Sequence, residues 1–225
     1  MSATLKPIKV WGKGGPNPPK VAIVLEELSL PAEFVVVPFS DVKKPEYLAI
    51  NPNGRLPAIH DPNTGLTIWE SGAIVEYLTE KYDTEHKISF ATGSPEAYET
   101  KQYLYFQASG QGPYYGQAAW FKKFHHEKLP SAVERYVKEM HRVTAVLDKI
   151  LSEKKVAQGQ DGPWLVGGRC SIADLSFASW THVVPFIFDK TDYNLDDYQF
   201  VKNWHERMLA RPGTAAGLGS TEKLA

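Results

Sequence analysis

The 225-residue chain is 43 % hydrophobic and 23 % charged with a formal net charge of −1, a composition for one large or two modest globular cores. No basic run suits a nucleic-acid partner, and no stretch approaches the roughly 18 uninterrupted apolar residues of a membrane span. One cysteine, Cys170, allows no intrachain disulfide; with no secretory apolar core after Met1, the expected setting is reducing and cytoplasmic.

In chain order, Ile8, Val10 and Trp11 mark a short strand, ended by Gly12-Lys13-Gly14-Gly15-Pro16-Asn17. The glycines hint at a phosphate cradle, but its Lys-Ser/Thr ending is missing, so a flexible loop is the better reading. Val21, Val24, Leu25 and Leu28 form one apolar stripe, predicting a helix with Pro18 and Pro19 in its first turn. Residues 34–37 follow as a second strand, expected to be buried and parallel to the first because a helix separates them. Residues 40–50 read as a loop with a short helix, and Asn51-Pro52-Asn53-Gly54 as a turn. A third strand at 55–60, a hairpin loop at 61–65 and a fourth strand at 66–69 lead to Ser71. Ser71 is expected to cap an amphipathic helix that points Ile74, Tyr77 and Leu78 inward. Residues 1–84 thus spell βαβ–ββα, 85–94 a polar linker, and 95–225 helix throughout.

In the helical part, residues 98–125 predict a long aromatic-rich helix bent at Gly110-Gln111-Gly112-Pro113. Val133, Tyr136, Val137, Met140, Leu147 and Ile150 give the next stripe, and Trp164-Leu165-Val166 an apolar anchor. Ser171-Ile172-Ala173-Asp174 has the spacing of a capping box, opening a helix through Phe177 and Trp180. Val201, Trp204, His205 and Met208 predict a last helix that Arg211-Pro212-Gly213 closes. The seven histidines form no metal-ligand pattern, so no metal is expected; His125 and His126 are expected on different faces of a helix.

Glu70-Ser71 carries the clearest chemistry. A helix start attracts a carboxylate, since unpaired donors and the positive end of the dipole point the same way. Glu70, one residue earlier, supplies a charge for an ammonium beside it. Two adjacent residues could therefore grip both charged groups of an α-amino acid; an ordinary capped helix behind an exposed acid is the alternative.

A βαβ–ββα domain before an all-helical one, together with Leu56-Pro57, Glu70-Ser71 and Ser171-Ile172-Ala173-Asp174, resembles the glutathione transferases over nearly the whole chain. Pro16-Asn17 ahead of Lys20-Val21-Ala22-Ile23-Val24-Leu25 is most similar to the fungal branch with the yeast nitrogen-catabolite regulator and its bacterial nu-class relatives. Ile68-Trp69-Glu70-Ser71-Gly72-Ala73-Ile74, Ser131-Ala132-Val133-Glu134-Arg135-Tyr136 and Trp164-Leu165-Val166-Gly167 agree.

The resemblance implies a thioredoxin-like first domain and glutathione as cofactor or co-substrate. The γ-glutamyl end is then expected on Glu70 and Ser71, and the cysteinyl unit against Leu56 beside a cis Pro57. The glycyl carboxylate falls to Lys43 or Lys44, with Arg55 a weaker candidate. Its thiol falls to Asn17, where many relatives place Tyr, Ser or Cys. An amide cannot act as a base, but its NH₂ can donate to a thiolate. Pro18 and Pro19 remove two backbone donors there, so weak thiol activation is expected. Cys170 reads as a buried filler. A small hydrophobic electrophile is expected between Gly14-Gly15-Pro16 and the helix with Tyr114, Tyr115, Gln117, Trp120 and Phe121, with His125 in reach; the same aromatics packed as core are the alternative.

The implied activity is glutathione conjugation, or transient thiol addition and elimination that isomerises an activated double bond, on a substrate of fungal secondary metabolism. Glutathione-dependent disulfide reduction and a non-enzymatic regulator are the alternatives. The regulator is disfavoured by the lack of that protein's Asn-rich N-terminal extension. A homodimer is implied as well.

Overall fold

The computed structural model describes residues 5–12 and 14–222; the start of the chain at Met1 and Lys13 of the glycine loop lie outside the described residues. The chain divides into two compact units, one running to Ser89 and resuming at Arg211, the other Phe90–Ala210.

In the first unit the order is β1 (Ile8–Trp11), α1 (Pro18–Glu27), β2 (Ala32–Val35), α2 (Pro45–Leu48), β3 (Ala58–Asp61), β4 (Leu66–Trp69) and α3 (Ser71–Tyr82). The strands form one mixed sheet, β2-β1-β3-β4. β1 and β2 run parallel with Ile8 opposite Ala32, while β3 runs antiparallel to both β1 and β4. This is the thioredoxin-like arrangement. β2 is not the buried strand its valines suggested: it lies at the sheet edge, and Val36 beyond it is 52 % exposed. Continuous apolar runs mark strands covered on both faces, and an edge strand lacks a neighbour on one side.

α1 is buried more completely than one stripe implies, with every residue from Pro18 to Leu25 inside. Part of the cover is a further helix, beyond the Arg211-Pro212-Gly213 stop that was expected to close the last one. After Arg211 the chain continues as α9 (Pro212–Glu222), which packs on α1 within this unit. Arg211 donates twice to the Glu27 carboxylate, at 3.0 and 2.6 Å, and the Thr214 hydroxyl adds a third bond at 3.1 Å. At Gly217 a Cβ would lie 2.5 Å from the Ile23 nitrogen. Only a glycine lets the two backbones approach so closely.

The second unit is helical: α4 (Pro95–Phe106), α5 (Gly112–Ala119), α6 (Pro130–Glu153), α7 (Ile172–Ile187) and α8 (Gln199–Leu209). Around the bend expected at 110–113 the chain makes a π-helical turn, Gln107–Gln111, and a second such turn, Trp120–Phe124, follows α5. Single π turns of this kind are a recognised cause of helix bending. The capping box at Ser171 and Asp174 is present in full. The buried Asp174 carboxylate accepts from Ser171 N, Leu165 N and Trp204 Nε1, each at 2.9 Å. One acid thereby ties the Trp164-Leu165-Val166 anchor and α8 to the start of α7.

Candidate functional site

β4 passes into α3 through a single residue, Glu70, with φ 73° and ψ 114°. Side chains rarely occupy such backbone, which costs on the order of 1–3 kcal/mol and clusters at ligand sites. Glu70 rather than Ser71 is therefore the cap position, and its carbonyl accepts the first bond of the helix from Ile74 N at 2.9 Å. Ser71 makes no capping bond; it is the first helical residue, and the N–H groups of that first turn have no partner within the helix. Its hydroxyl instead accepts a hydrogen bond from Lys20 Nζ at 3.3 Å. Lys20 is only 4 % exposed. Burial drags its pKa down to about 7, against the opposing attraction of Glu70.

The exposed Glu70 carboxylate also accepts from Asn53 Nδ2 at 3.3 Å. Asn53 is the hub of a braced turn. Its N–H donates to Asn51 Oδ1 at 2.9 Å, and its carbonyl accepts from Lys43 Nζ at 2.7 Å. Asn51 Nδ2 and Tyr47 OH both donate to the Arg55 carbonyl, at 2.7 and 2.8 Å. The turn delivers Leu56-Pro57, which is cis. At Gly54, with φ 60°, a Cβ would sit 2.6 Å from the Val42 carbonyl and 2.8 Å from Lys43 Cδ. Glycine is what lets Lys43 lie across this turn. Lys44 is engaged elsewhere, with Asp41 at 2.8 Å.

The start of α1 meets the same loop. A Cβ on Gly12 would stand 3.0 Å from Leu56 Cβ and 3.3 Å from Pro18 Cγ, so strand end, helix start and cis-proline loop converge. Asn17 is half-buried at the cap position, and its side chain makes no capping bond to the helix. Pro18 and Pro19 have no N–H, and the Lys20 N–H donates to the Asn17 carbonyl at 3.2 Å. The first turn of α1 offers little backbone to an anion. Gly15 is exposed at φ 71°, and Pro16 is half-buried.

The aromatic positions of the second unit separate into two groups. Tyr115 is a correction: it is 3 % exposed, with its hydroxyl on Thr144 Oγ1 at 2.7 Å and near Tyr193 OH at 3.3 Å. It packs against Trp180 and Tyr193 as core, because its position on α5 faces α6 and α7. The others stay near the surface. Trp120 is 50 % exposed, Gln117 is exposed, and half-buried Tyr114 lies under the Arg142 guanidinium at 5.8 Å. Phe121 stacks on Tyr136 at 5.7 Å and lies tilted against the His125 ring at 5.1 Å. His125 and His126 do not diverge; their rings stack at 4.6 Å beyond the end of the π turn. Phe121 also borders a cavity of about 490 Å³ with Leu129, Val133 and Val137.

Residues 13–86 match the family model of the glutathione S-transferase N-terminal domain, and residues 115–220 that of the C-terminal domain. The chain is 63 % identical to the glutathione S-transferase-like protein tpcF of Aspergillus fumigatus, over 95 % of its own length and 96 % of the relative's. It belongs to the glutathione S-transferase family. The glutathione S-transferase-like protein gedE of Aspergillus terreus is 62 % identical over 92 % of each chain. The glutathione transferase URE2P6 of Phanerochaete chrysosporium, solved in complex with oxidized glutathione, matches with a TM-score of 0.89 and 43 % identity over 100 % of both chains. The Ure2-type branch of the glutathione S-transferases is thus the one that Pro16-Asn17 and Ile68-Trp69-Glu70-Ser71 pointed to.

Within this transferase, two residues of the Glu70-Ser71 entrance escaped the sequence reading. Asn53 reads as a turn former, and nothing local says that its amide reaches Glu70. Lys20 had a signal: a lone cation among the apolar residues of Pro18-Pro19-Lys20-Val21-Ala22-Ile23-Val24-Leu25. Charges are almost never fully buried unless partnered, so that position merited a ligand hypothesis.

Proposed function

We propose that this protein is a glutathione-dependent transferase that presents a modestly activated thiolate to a small apolar electrophile. The observation that carries this is the entrance to α3: a strained acidic turn residue, a serine on a buried lysine, and a braced link through Asn53 to the cis Leu56-Pro57 loop. These groups complement a γ-glutamyl head, with carboxylate at Ser71 and ammonium at Glu70. The extended cysteinyl unit then pairs with the Leu56 backbone. Lys43, already lying across the turn before Leu56, is the cation favoured for the glycyl carboxylate over Lys44, which holds Asp41.

The thiol is directed to Asn17, whose amide donates to the thiolate without accepting its proton. With the nearby backbone donors removed, activation is weak, which suits chemistry that needs little standing thiolate. In conjugation the new carbon–sulfur bond persists. In isomerisation the thiolate adds to the β-carbon of an activated alkene, the former double bond rotates, and elimination restores both the alkene and the thiolate. Within the helical unit, Trp120, Phe121 and His125 are the surface proposed for the electrophile, and a natural product of fungal secondary metabolism is the proposed substrate class. A homodimer in a reducing, cytoplasmic setting completes the proposal.

A second activity, disulfide reduction, is favoured by the oxidized glutathione held in the URE2P6 complex. In that reaction one glutathione thiolate attacks the substrate disulfide and expels one of its sulfurs as a thiolate, and a second glutathione thiolate attacks the mixed disulfide, giving oxidized glutathione and expelling the other. Incubation with glutathione and candidate electrophiles, polyenes and disulfides separates the three outcomes. Isomerisation leaves glutathione unchanged, conjugation consumes it, and disulfide reduction oxidises it. Failure to bind glutathione overturns all three.

A further inference from the structure

Lys20 is the one charged residue on the buried stretch of α1 between Pro18 and Leu25. Its ammonium has three donors and no acceptor, and a serine hydroxyl has one donor and two lone pairs. In the bond at 3.3 Å lysine therefore donates and Ser71 accepts. That bond fills one lone pair of Ser71 and leaves the hydroxyl hydrogen for an acceptor beyond it. Glu70, one residue before Ser71, carries a negative charge that favours the Lys20 ammonium. The entrance thus carries a buried cation behind the serine and an exposed anion beside it.

An α-amino acid head carries the opposite pattern, carboxylate and ammonium a few ångströms apart. We propose that Lys20 is a positioning residue for the γ-glutamyl carboxylate, orienting the Ser71 hydroxyl and setting its ammonium behind it, so that the site selects a free α-carboxylate. This rests on the proposed glutathione function and goes beyond it, since Glu70, Ser71 and the helix dipole alone would make no use of a cation inside α1. Methionine would fill the same space without desolvating a charge. A lysine retained under nearly complete burial, beside a ligand entrance, is the pattern of a functional group rather than a packing one.

The test compares glutathione with two analogues: 4-aminobutyryl-Cys-Gly, which lacks the α-carboxylate, and glutaryl-Cys-Gly, which lacks the α-amine. Dissociation constants are measured calorimetrically for the wild type, Lys20→Met, Lys20→Arg and Glu70→Gln. The expected result is that Lys20→Met weakens glutathione and the deamino analogue about tenfold or more, as for a lost charged contact, yet leaves the decarboxy analogue within about twofold. Lys20→Arg should recover part of the loss, and Glu70→Gln should show the reverse analogue pattern. Equal loss on all three ligands would mark a merely structural lysine, and unchanged glutathione affinity would remove Lys20 from the site; both overturn the proposal while the Glu70 effect keeps the glutathione function intact. If wild type binds no glutathione, that underlying function fails instead.

Should Lys20→Met not fold, wild-type protein carrying ¹³Cε-lysine answers the same question. The buried lysine resonance should move on adding glutathione and stay in place with 4-aminobutyryl-Cys-Gly. A resonance that ignores glutathione overturns the proposal.

Discussion

The first unit contains two helix starts that face the same physical problem and solve it differently. At α3, the residues Ser71, Gly72 and Ala73 all carry N–H groups, a hydroxyl rests on a buried ammonium, and an acid stands alongside. At α1, Pro18 and Pro19 carry none, and the Lys20 N–H is bonded to the Asn17 carbonyl. Both ends have the positive side of a helix dipole, yet that partial charge resides largely on the unpaired N–H groups themselves. Removing them leaves α1 with a side-chain amide where α3 has backbone, hydroxyl and cation. The two starts thus divide labour: one suits holding a permanent carboxylate, the other only biasing a thiol.

The largest effect should come from removing the charge that α1 lends to α3. Folded Lys20 titrates near 7 against 10.5 for an unperturbed lysine. The unfolded chain therefore holds more protons between those values, and the stability of the native state rises with pH across that window. Below about pH 7 both states carry the charge, and the difference of 10.5 − 7 corresponds to roughly 5 kcal/mol of burial cost. Lys20→Met should accordingly stabilise the ligand-free protein by several kcal/mol at about pH 6 and by much less near pH 10. Urea unfolding at the two pH values checks this, and a gain independent of pH would contradict the buried-charge account. Next in size, Ser71→Ala and Glu70→Gln should each weaken glutathione binding by roughly 1.5–3 kcal/mol, as for lost charged hydrogen bonds. Unchanged affinity in both would dissolve the contrast between the two helix starts.

How much of that contrast was legible in the sequence depends on which features are local. Strand and helix order came through because alternating and 3.6-residue patterns are properties of neighbouring residues, and the two prolines of α1 announce their own missing donors. Ser71 was picked out for the right place and the wrong geometry. A serine before an apolar run reads as a cap, whereas the cap falls to Glu70 only because the chain enters α3 at φ 73°, a conformation that no side-chain preference suggests. Lys20 reaches across fifty-one residues to Ser71, a distance that periodicity cannot encode. α9 was invisible for another reason: Gly213, Ala215, Ala216, Gly217 and Gly219 give no apolar stripe, since its contact with α1 depends on smallness. Tyr115 and Trp120 look alike in sequence, yet one is core and the other half-exposed; five positions at about 3.6 residues per turn put them on different sides of the helix, and an aromatic side chain does not by itself say which side is core.

Smaller changes can move the α1 start toward the α3 design or away from it. Asn17→Ala removes the amide donor and should lower kcat/KM about tenfold with little change in glutathione affinity, a loss near 1.4 kcal/mol. In wild type the bound thiol should keep a pKa above about 6.5, measured by thiolate absorbance in the complex. Pro19→Ala restores a backbone N–H at the second helical position. If missing donors limit the thiolate, the bound thiol pKa should fall by about half a pH unit, in line with one helix-terminal interaction. A pKa that stays put would mean that Asn17 alone sets it.

The smallest effects concern the far end of the ligand, where two adjacent lysines differ only in what holds them. Lys43 lies across the Gly54 turn on the Asn53 carbonyl at 2.7 Å, one residue from the segment that leads into Leu56. Lys44 is exposed and holds Asp41. A glycyl carboxylate beside Leu56 would find Lys43 already oriented, whereas Lys44 would first have to give up its own partner. Lys43→Met should therefore weaken glutathione a few-fold and leave γ-glutamylcysteine, which has no glycine, within about twofold, the scale of a solvent-screened contact. Lys44→Met should leave both within about twofold. The opposite ranking, with Lys44 sensitive and Lys43 silent, would mean that the Asp41 pair opens on binding and that the braced turn ends short of the glycyl carboxylate.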